Sequence, residues 1–152
     1  KGPFGAILGG LPGALPILIG AYGSIQYVVA PVWLLFLYMM LWQPAHFWAL
    51  AMFMQKDYAE AGIPVLPVVL GERYTELFIL IYGITLVPVT LAVGLFANYG
   101  LLYLLACLFL GSHYLFETLR AIFFTKNHRR AFFASLVHML GIMLSILFEV
   151  LL

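Results

Sequence analysis

Five long apolar stretches dominate this chain of 152 residues and limit what it can fold into. A helix needs about 20 residues to cross a hydrocarbon core about 30 Å thick, and every stretch reaches that length. In lipid each backbone polar group has to be hydrogen-bonded within its own segment, so such stretches are helices. The sequence predicts an all-α, polytopic transmembrane helical bundle with spans at residues 3–22, 28–55, 75–97, 101–124 and 131–152.

Composition excludes several other classes of protein. Hydrophobic residues make up 65% of the chain and charged residues only 9%, whereas a soluble domain carries about 25% charged residues. A soluble enzyme and a disordered chain are therefore excluded. The lone cysteine, Cys107, rules out an intrachain disulfide scaffold. The net charge of +1 gives no reason to expect a nucleic-acid partner.

The basic residues indicate which loops face the cytoplasm. If five spans alternate in direction, all seven lysines and arginines fall on one side of the membrane. The positive-inside rule makes that side cytoplasmic. We therefore predict that residues 56–74 and 125–130 form cytoplasmic loops, and that His128 is solvated in the second loop near lipid head groups.

Four ionisable side chains lie deepest inside the apolar stretches: His46, His113, Glu117 and His138. A charged group at the bilayer centre costs about 2.5 to 3.5 kcal/mol, so each of them needs a reason to be there. At 1.5 Å of rise per residue, the three histidines lie about 10 to 15 Å deep from the charged side. A polar cavity open to the cytoplasm would explain this depth. The alternative is that each histidine is a hydrogen-bonded packing residue, and that Glu117 pairs with Arg120 on the same helix.

His46 has the strongest support from its surroundings. It lies in the run WQPAHFW, one turn after Gln43, and Asp57 follows eleven residues later. Because eleven residues are almost three helical turns, His46 and Asp57 share a face if the helix continues that far. The pattern predicts a polar wall with a carboxylate at its mouth. The alternative is a tightly packed aromatic helix with an incidental histidine.

The long loop after the second span carries the densest charge. Asp57 and Glu60 are three residues apart, so one turn of helix would bring both carboxylates toward one site. Magnesium suits such a pair, because it binds through one or two carboxylates and completes its shell with water and substrate phosphate. Lys56 and Arg73 are placed to meet further phosphate charge. The alternative is that these are solvated loop charges.

Three runs taken together resemble the intramembrane prenyltransferases of the UbiA type, and among them the haem O synthases, or protoheme IX farnesyltransferases. The runs are residues 9–16 (GGLPGALP), 44–51 (PAHFWALA) and 57–69 (DYAEAGIPVLPVV). The resemblance implies nine helices around a central cavity, with aspartate-rich motifs in two cytoplasmic loops. We expect this chain to be part of a longer protein and to contribute the last five helices.

The resemblance also implies a reaction and a set of site residues. The reaction is transfer of a farnesyl group from farnesyl diphosphate to a vinyl group of haem B, which forms haem O for terminal oxidase assembly. The implied cofactor is Mg²⁺. The implied surroundings are the lipid of a bacterial or mitochondrial inner membrane, with haem A synthase or oxidase assembly proteins as partners. The implied site consists of Asp57 and Glu60 as catalytic metal ligands, Lys56 as a catalytic contact to diphosphate, and Arg73, His46, Gln43, Phe47, Trp48 and Tyr58 as substrate-binding residues.

Three other functions remain open at this point. A UbiA-type enzyme with a quinone precursor as acceptor would share the loop acids. A membrane bundle that carries haem without being an enzyme would use paired axial histidines, for which His46 and His138 are the candidates. A half-transporter would use kinked helices, and Pro12 and Pro16 interrupt the first span.

Overall fold

The computed structural model describes residue 2 and residues 4–151 of the chain. Within these residues there is no strand, and five helices are long and apolar enough to cross a membrane. The prediction of a polytopic helical membrane protein is therefore confirmed. The helices are α1 (Gly5–Ile25), α2 (Ala30–Phe53), α3 (Gln55–Glu60), α4 (Leu66–Val69), α5 (Glu72–Ala97), α6 (Leu101–Arg120) and α7 (His128–Leu151), and a π-helical turn at Ala121–Thr125 continues α6.

The helix ends fall within about one turn of the predicted spans, although the predicted ends at Pro3 and Leu152 lie outside the described residues. One difference matters for the site. The second span was predicted to continue through Gln55, but α2 ends at Phe53 because Met54 leaves helical geometry, with φ −107° and ψ 24°. The expectation of one unbroken helical face from His46 to Asp57 is therefore wrong.

Helix α2 is the centre of the bundle. It packs against α1, α5 and α7, and α6 fills the space beside α5 and α7. Buried side chains form three clusters along the bundle, which contain Trp48 and Ile79, Tyr38 and Leu86, and Tyr103 and Ile142. The first helix, α1, packs on α2 and leaves most of its own surface exposed.

Ion pairs close the end of the bundle at which α5 and α7 begin. The Glu76 carboxylate accepts hydrogen bonds from Lys126 Nζ and His128 Nε2, each at 2.9 Å. His128 is buried, so the prediction of a solvated residue is wrong: the contact with Glu76 draws its ring between α5 and α7.

The second ion pair also differs from the sequence expectation. Glu117 pairs with Arg130, whose Nε donates to the carboxylate at 2.7 Å, and not with Arg120. The reason is the close packing of α6 on α7, which brings Arg130 to Glu117. Lys126, in the second predicted cytoplasmic loop, is thus bonded to Glu76 in the second turn of α5, a helix that begins directly after the first predicted loop.

Candidate functional site

A groove of about 960 Å³ opens between α1, α2 and the segment that follows α3. Glycines form much of the α1 wall, and a Cβ at Gly5 or Gly9 would meet no atom within 4 Å. The opposite wall is formed by α2, and the third side by residues 61–65. A volume of this size falls in the range of small-molecule and cofactor sites, which is about 300 to 1,000 Å³.

His46 lies on the α2 wall of the groove and is held firmly there. Its ring is stacked between Trp42, with 4.7 Å between ring centroids, and Phe132 of α7, with 4.5 Å. His46 Nδ1 lies 2.7 Å from Ser135 Oγ, and Trp42 Nε1 donates to the Ser135 carbonyl oxygen at 2.8 Å. The side chain is thus fixed from both faces and from one edge.

Gln43 connects the two helical walls. Its Nε2 donates to the Gly10 carbonyl oxygen at 3.0 Å and to the Met39 carbonyl oxygen at 3.3 Å. The amide occupies the space beside Gly13, where a Cβ would overlap the Gln43 side chain. Gln43 therefore lines the groove and also holds α1 against α2.

A glycine turn brings the segment after α3 back toward the groove. Gly62 has φ +65°, the Gly62 amide donates to the Ala59 carbonyl oxygen at 3.1 Å, and the Ile63 amide donates to the Tyr58 carbonyl oxygen at 2.9 Å. These two bonds form a Schellman motif, which requires a left-handed residue that glycine adopts without strain. The motif explains why the run Ala-Gly-Ile-Pro follows the acidic residues and lines the groove.

The acidic residues predicted to bind metal lie on α3, immediately before this turn. Asp57 and Glu60 are both exposed, and neither takes part in an ion pair among the described residues. Among all residues that the structure describes, there is no cluster of three or more histidine, cysteine or acidic side chains that could hold a metal. A magnesium ion here would therefore have two carboxylates from α3 and would need oxygen atoms of substrate and water to complete its shell.

The two basic residues predicted to contact phosphate, Lys56 and Arg73, lie on different helices. Lys56 is exposed on α3, beside Asp57. Arg73 is also exposed but lies in the first turn of α5, and it does not line the groove. Lys56 thus shares the short helix of the two acidic residues, whereas Arg73 lies on α5, and none of the four lines the groove.

The aromatic residues of the predicted site separate into two groups. Phe47 lines the groove, and its ring centroid lies 6.5 Å from that of Tyr58 on α3. Trp48 is fully buried instead, with its ring 5.0 Å from Tyr82 and 5.6 Å from Phe78 of α5. Trp48 therefore does not line the groove, because the helix directs its side chain into the bundle core.

The other two membrane histidines lie away from the groove. His138 is fully buried, with Nδ1 3.1 Å from Tyr38 Oη and its ring beside that of Tyr114. His113 is exposed on α6. His138 is fully buried and does not line the groove on which His46 lies, so among the described residues the two histidines do not face one common cavity. The arrangement argues against an axial pair formed by these two histidines.

Sequence reasoning missed two groove-side contributors on α7, Phe132 and Ser135. A weak signal existed, since Ser135 lies three residues before His138 and therefore shares its helix face. Neither residue lies in a run that resembles a known motif, so the contact with His46 is visible only in three dimensions.

The bundle of apolar helices, with a groove bordered by the segment that directly follows the acidic helix α3, fits an intramembrane transferase. Residues 1–144 match the UbiA prenyltransferase family, so this chain belongs to that family. The resemblance to UbiA-type enzymes is thereby confirmed. No solved structure matches the chain.

Three curated proteins similar to this chain share one name. The chain is 37% identical to a protoheme IX farnesyltransferase of Geotalea uraniireducens over 150 residues, which are 99% of this chain and 58% of that protein. It is 44% identical over 109 residues to the protein of the same name from Bordetella petrii, covering 72% of this chain and 37% of that protein. With the enzyme of Cupriavidus taiwanensis it shares 42% identity over 113 residues, or 74% of this chain and 37% of that protein. The chain thus spans about half the length of these curated relatives, or less.

Proposed function

We propose that the protein to which this chain belongs transfers a farnesyl group from farnesyl diphosphate to a vinyl group of haem B and so produces haem O. The observation that carries the proposal is the groove between α1 and α2, whose apolar and aromatic walls are completed by residues 61–65, the segment that directly follows the acidic helix α3. A prenyl diphosphate has the same division, because its chain is apolar and its diphosphate is strongly anionic. The names of the similar proteins support the choice of acceptor.

In this proposal α3 holds the diphosphate end. Asp57 and Glu60 are the metal ligands, and magnesium bound to them would neutralise charge on the leaving diphosphate. Lys56 donates to diphosphate oxygens from the same helix. Arg73 is proposed to contribute from a separate element, the first turn of α5.

The interior of the groove performs two further tasks. Loss of diphosphate from an allylic chain leaves positive charge on carbon, and the faces of Phe47 and Trp42 stabilise such charge. The apolar walls also keep water away from the reactive carbon. Tyr58 lies beside Phe47 on the α3 side and contacts the substrate there, while His46 and Gln43 supply the polar groups that contact the haem.

The experiment uses the complete protein, purified in detergent or nanodiscs and supplied with haem B, farnesyl diphosphate and magnesium. We expect haem O, identified by chromatography and mass, and we expect its formation to depend on magnesium. A parallel reaction offers a 4-hydroxybenzoate-type quinone precursor as acceptor. Prenylation of that acceptor without formation of haem O would overturn the proposed acceptor while leaving a prenyltransferase.

The site of action follows from the same proposal. The substrates are an amphipathic diphosphate and a haem, and both reach the groove from the membrane or its surface. We propose that the protein works in the inner membrane of a bacterium or a mitochondrion. We further propose haem A synthase or oxidase assembly proteins as the recipients of the product.

A further inference from the structure

We infer that Ser135 is a positioning residue that fixes the tautomer of His46, so that the Nε2 lone pair points into the groove and binds the iron of haem B. The inference rests on the proposed function, since it concerns the acceptor of the same reaction. It adds a residue of α7 to a site that otherwise consists of α1, α2 and the α3 segment.

The first step determines which partner receives the hydroxyl proton of Ser135. Ser135 Oγ lies 2.7 Å from the Phe132 carbonyl oxygen and 2.7 Å from His46 Nδ1. A carbonyl oxygen can only accept, so the hydroxyl proton goes to Phe132. Ser135 Oγ then has lone pairs left for His46 and accepts a hydrogen bond from Nδ1–H.

The second step follows from the chemistry of imidazole. In the neutral ring one nitrogen carries the proton and the other the lone pair. If Nδ1 carries the proton, Nε2 is the nitrogen able to bind a metal. Within the part of the chain that the structure describes, His46 Nε2 has no hydrogen-bond partner and is not among the buried unpaired polar atoms. It is therefore accessible.

The third step concerns direction. Trp42 and Phe132 cover both faces of the His46 ring, and Ser135 covers its Nδ1 edge. The nitrogen lone pair of imidazole lies in the plane of the ring, so stacking on the faces does not block it. His46 lines the groove, and the edge of its ring that carries Nε2 is the part left uncovered to face it. Histidine ligands of metals usually have their second nitrogen oriented by a partner of this kind.

Ser135 itself is held in place. It is almost fully buried, and its carbonyl oxygen accepts the Trp42 indole bond at 2.8 Å. The same serine thus orients the histidine through its side chain and the stacked tryptophan through its backbone. Replacing the hydroxyl leaves the backbone bond to Trp42 in place, so Ser135→Ala removes the bond to His46 together with the hydroxyl's own bond to the Phe132 carbonyl oxygen.

The test is titration of ferric haem B into the complete protein, followed by absorption and electron paramagnetic resonance spectra. The variants are His46→Ala, Ser135→Ala and Ser135→Thr. Ser145→Ala is the matched control, because Ser145 also lies on α7 and donates to a backbone carbonyl within its helix, at 2.8 Å. Each variant is first checked for membrane insertion and a monodisperse elution profile.

We expect histidine-ligated iron in the wild type and its loss in His46→Ala. Ser135→Ala should weaken haem binding by about tenfold, the lower end of the usual effect of removing a partner that orients a metal ligand. Ser135→Thr, which keeps a hydroxyl, should restore most of the affinity, and Ser145→Ala should match the wild type.

Unchanged affinity and spectra in Ser135→Ala would overturn the inference, and so would an equal loss in Ser145→Ala. Haem O formation is measured in the same preparations. A protein that makes haem O but binds haem independently of His46 keeps the proposed function and loses this inference. A protein that binds haem through His46 but makes no haem O loses the proposed function alone.

Discussion

Gln43 of α2 reaches across to α1 and donates a hydrogen bond to the Gly10 carbonyl oxygen at 3.0 Å. The amide fits only because Gly13, one turn further along α1, has no side chain. The glycines of the first span therefore have two roles in this fold. Gly13 lets a polar side chain join two helices, whereas Gly5 and Gly9 leave the groove open.

Replacing Gly13 by alanine should destabilise the protein. The new Cβ displaces the Gln43 amide and removes its bond to α1, at a cost of about 1 kcal/mol. Gly20→Ala on the same helix is the control, because its Cβ would meet no atom within 4 Å. Thermal unfolding of the complete protein in detergent should show a lower midpoint for Gly13→Ala than for Gly20→Ala. Equal midpoints would show that Gln43 does not hold α1 to α2.

Replacing Glu76 by glutamine should destabilise the bundle end where α5 meets α7. The change removes the charge that accepts hydrogen bonds from Lys126 and His128, and hydrogen bonds to charged groups contribute about 1.5 to 3 kcal/mol. Glu72→Gln is the control, since Glu72 is exposed in the first turn of the same helix. The thermal midpoint should fall for Glu76→Gln and stay near the wild-type value for Glu72→Gln. A similar midpoint for both variants would contradict a structural role of this ion pair.

Labelling from outside the cell tests the predicted orientation. Cys107 is buried, so the native thiol should react slowly. A cysteine introduced by Ser24→Cys, in the last turn of α1, should react with an impermeant thiol reagent in intact cells. Glu72→Cys, at the other end of the bundle, should react only after the membrane is opened. The reverse pattern would invert the topology and place α3 on the outer side.

The sequence predicted the helices well because their signal is local. Twenty apolar residues in a row specify a membrane helix without reference to any other part of the chain. The break at Met54 could not be foreseen, since neither proline nor glycine occurs there. That break decides where Asp57 lies.

The site was harder to predict because it depends on which face of each helix meets a neighbour. His46 and Trp48 stand in the same run, but two residues correspond to about 200° of rotation around a helix. His46 therefore lines the groove, whereas Trp48 is buried in the core. The partner of Glu117 also depends on which helix faces meet. Arg120 is its nearest basic residue in sequence, but the packing of α6 on α7 brings Arg130 into the ion pair.

The central claim is that α3 binds the diphosphate through a metal, and Asp57→Asn tests it most directly. The substitution keeps the shape of the side chain and removes one formal charge from a pair that is to hold a dication. Glu60→Gln is made alongside, and Glu72→Gln serves as the control, because Glu72 is an exposed acidic residue on a different helix, α5.

The measurement is haem O formation by the complete, correctly inserted protein at saturating haem B and farnesyl diphosphate. We predict a fall of at least about 100-fold for Asp57→Asn, the size of effect seen when one well-placed charge-stabilising group is lost. Excess magnesium should restore part of the activity, Glu60→Gln should lose less, and Glu72→Gln should keep the wild-type rate. Near-normal haem O formation by Asp57→Asn would contradict the account.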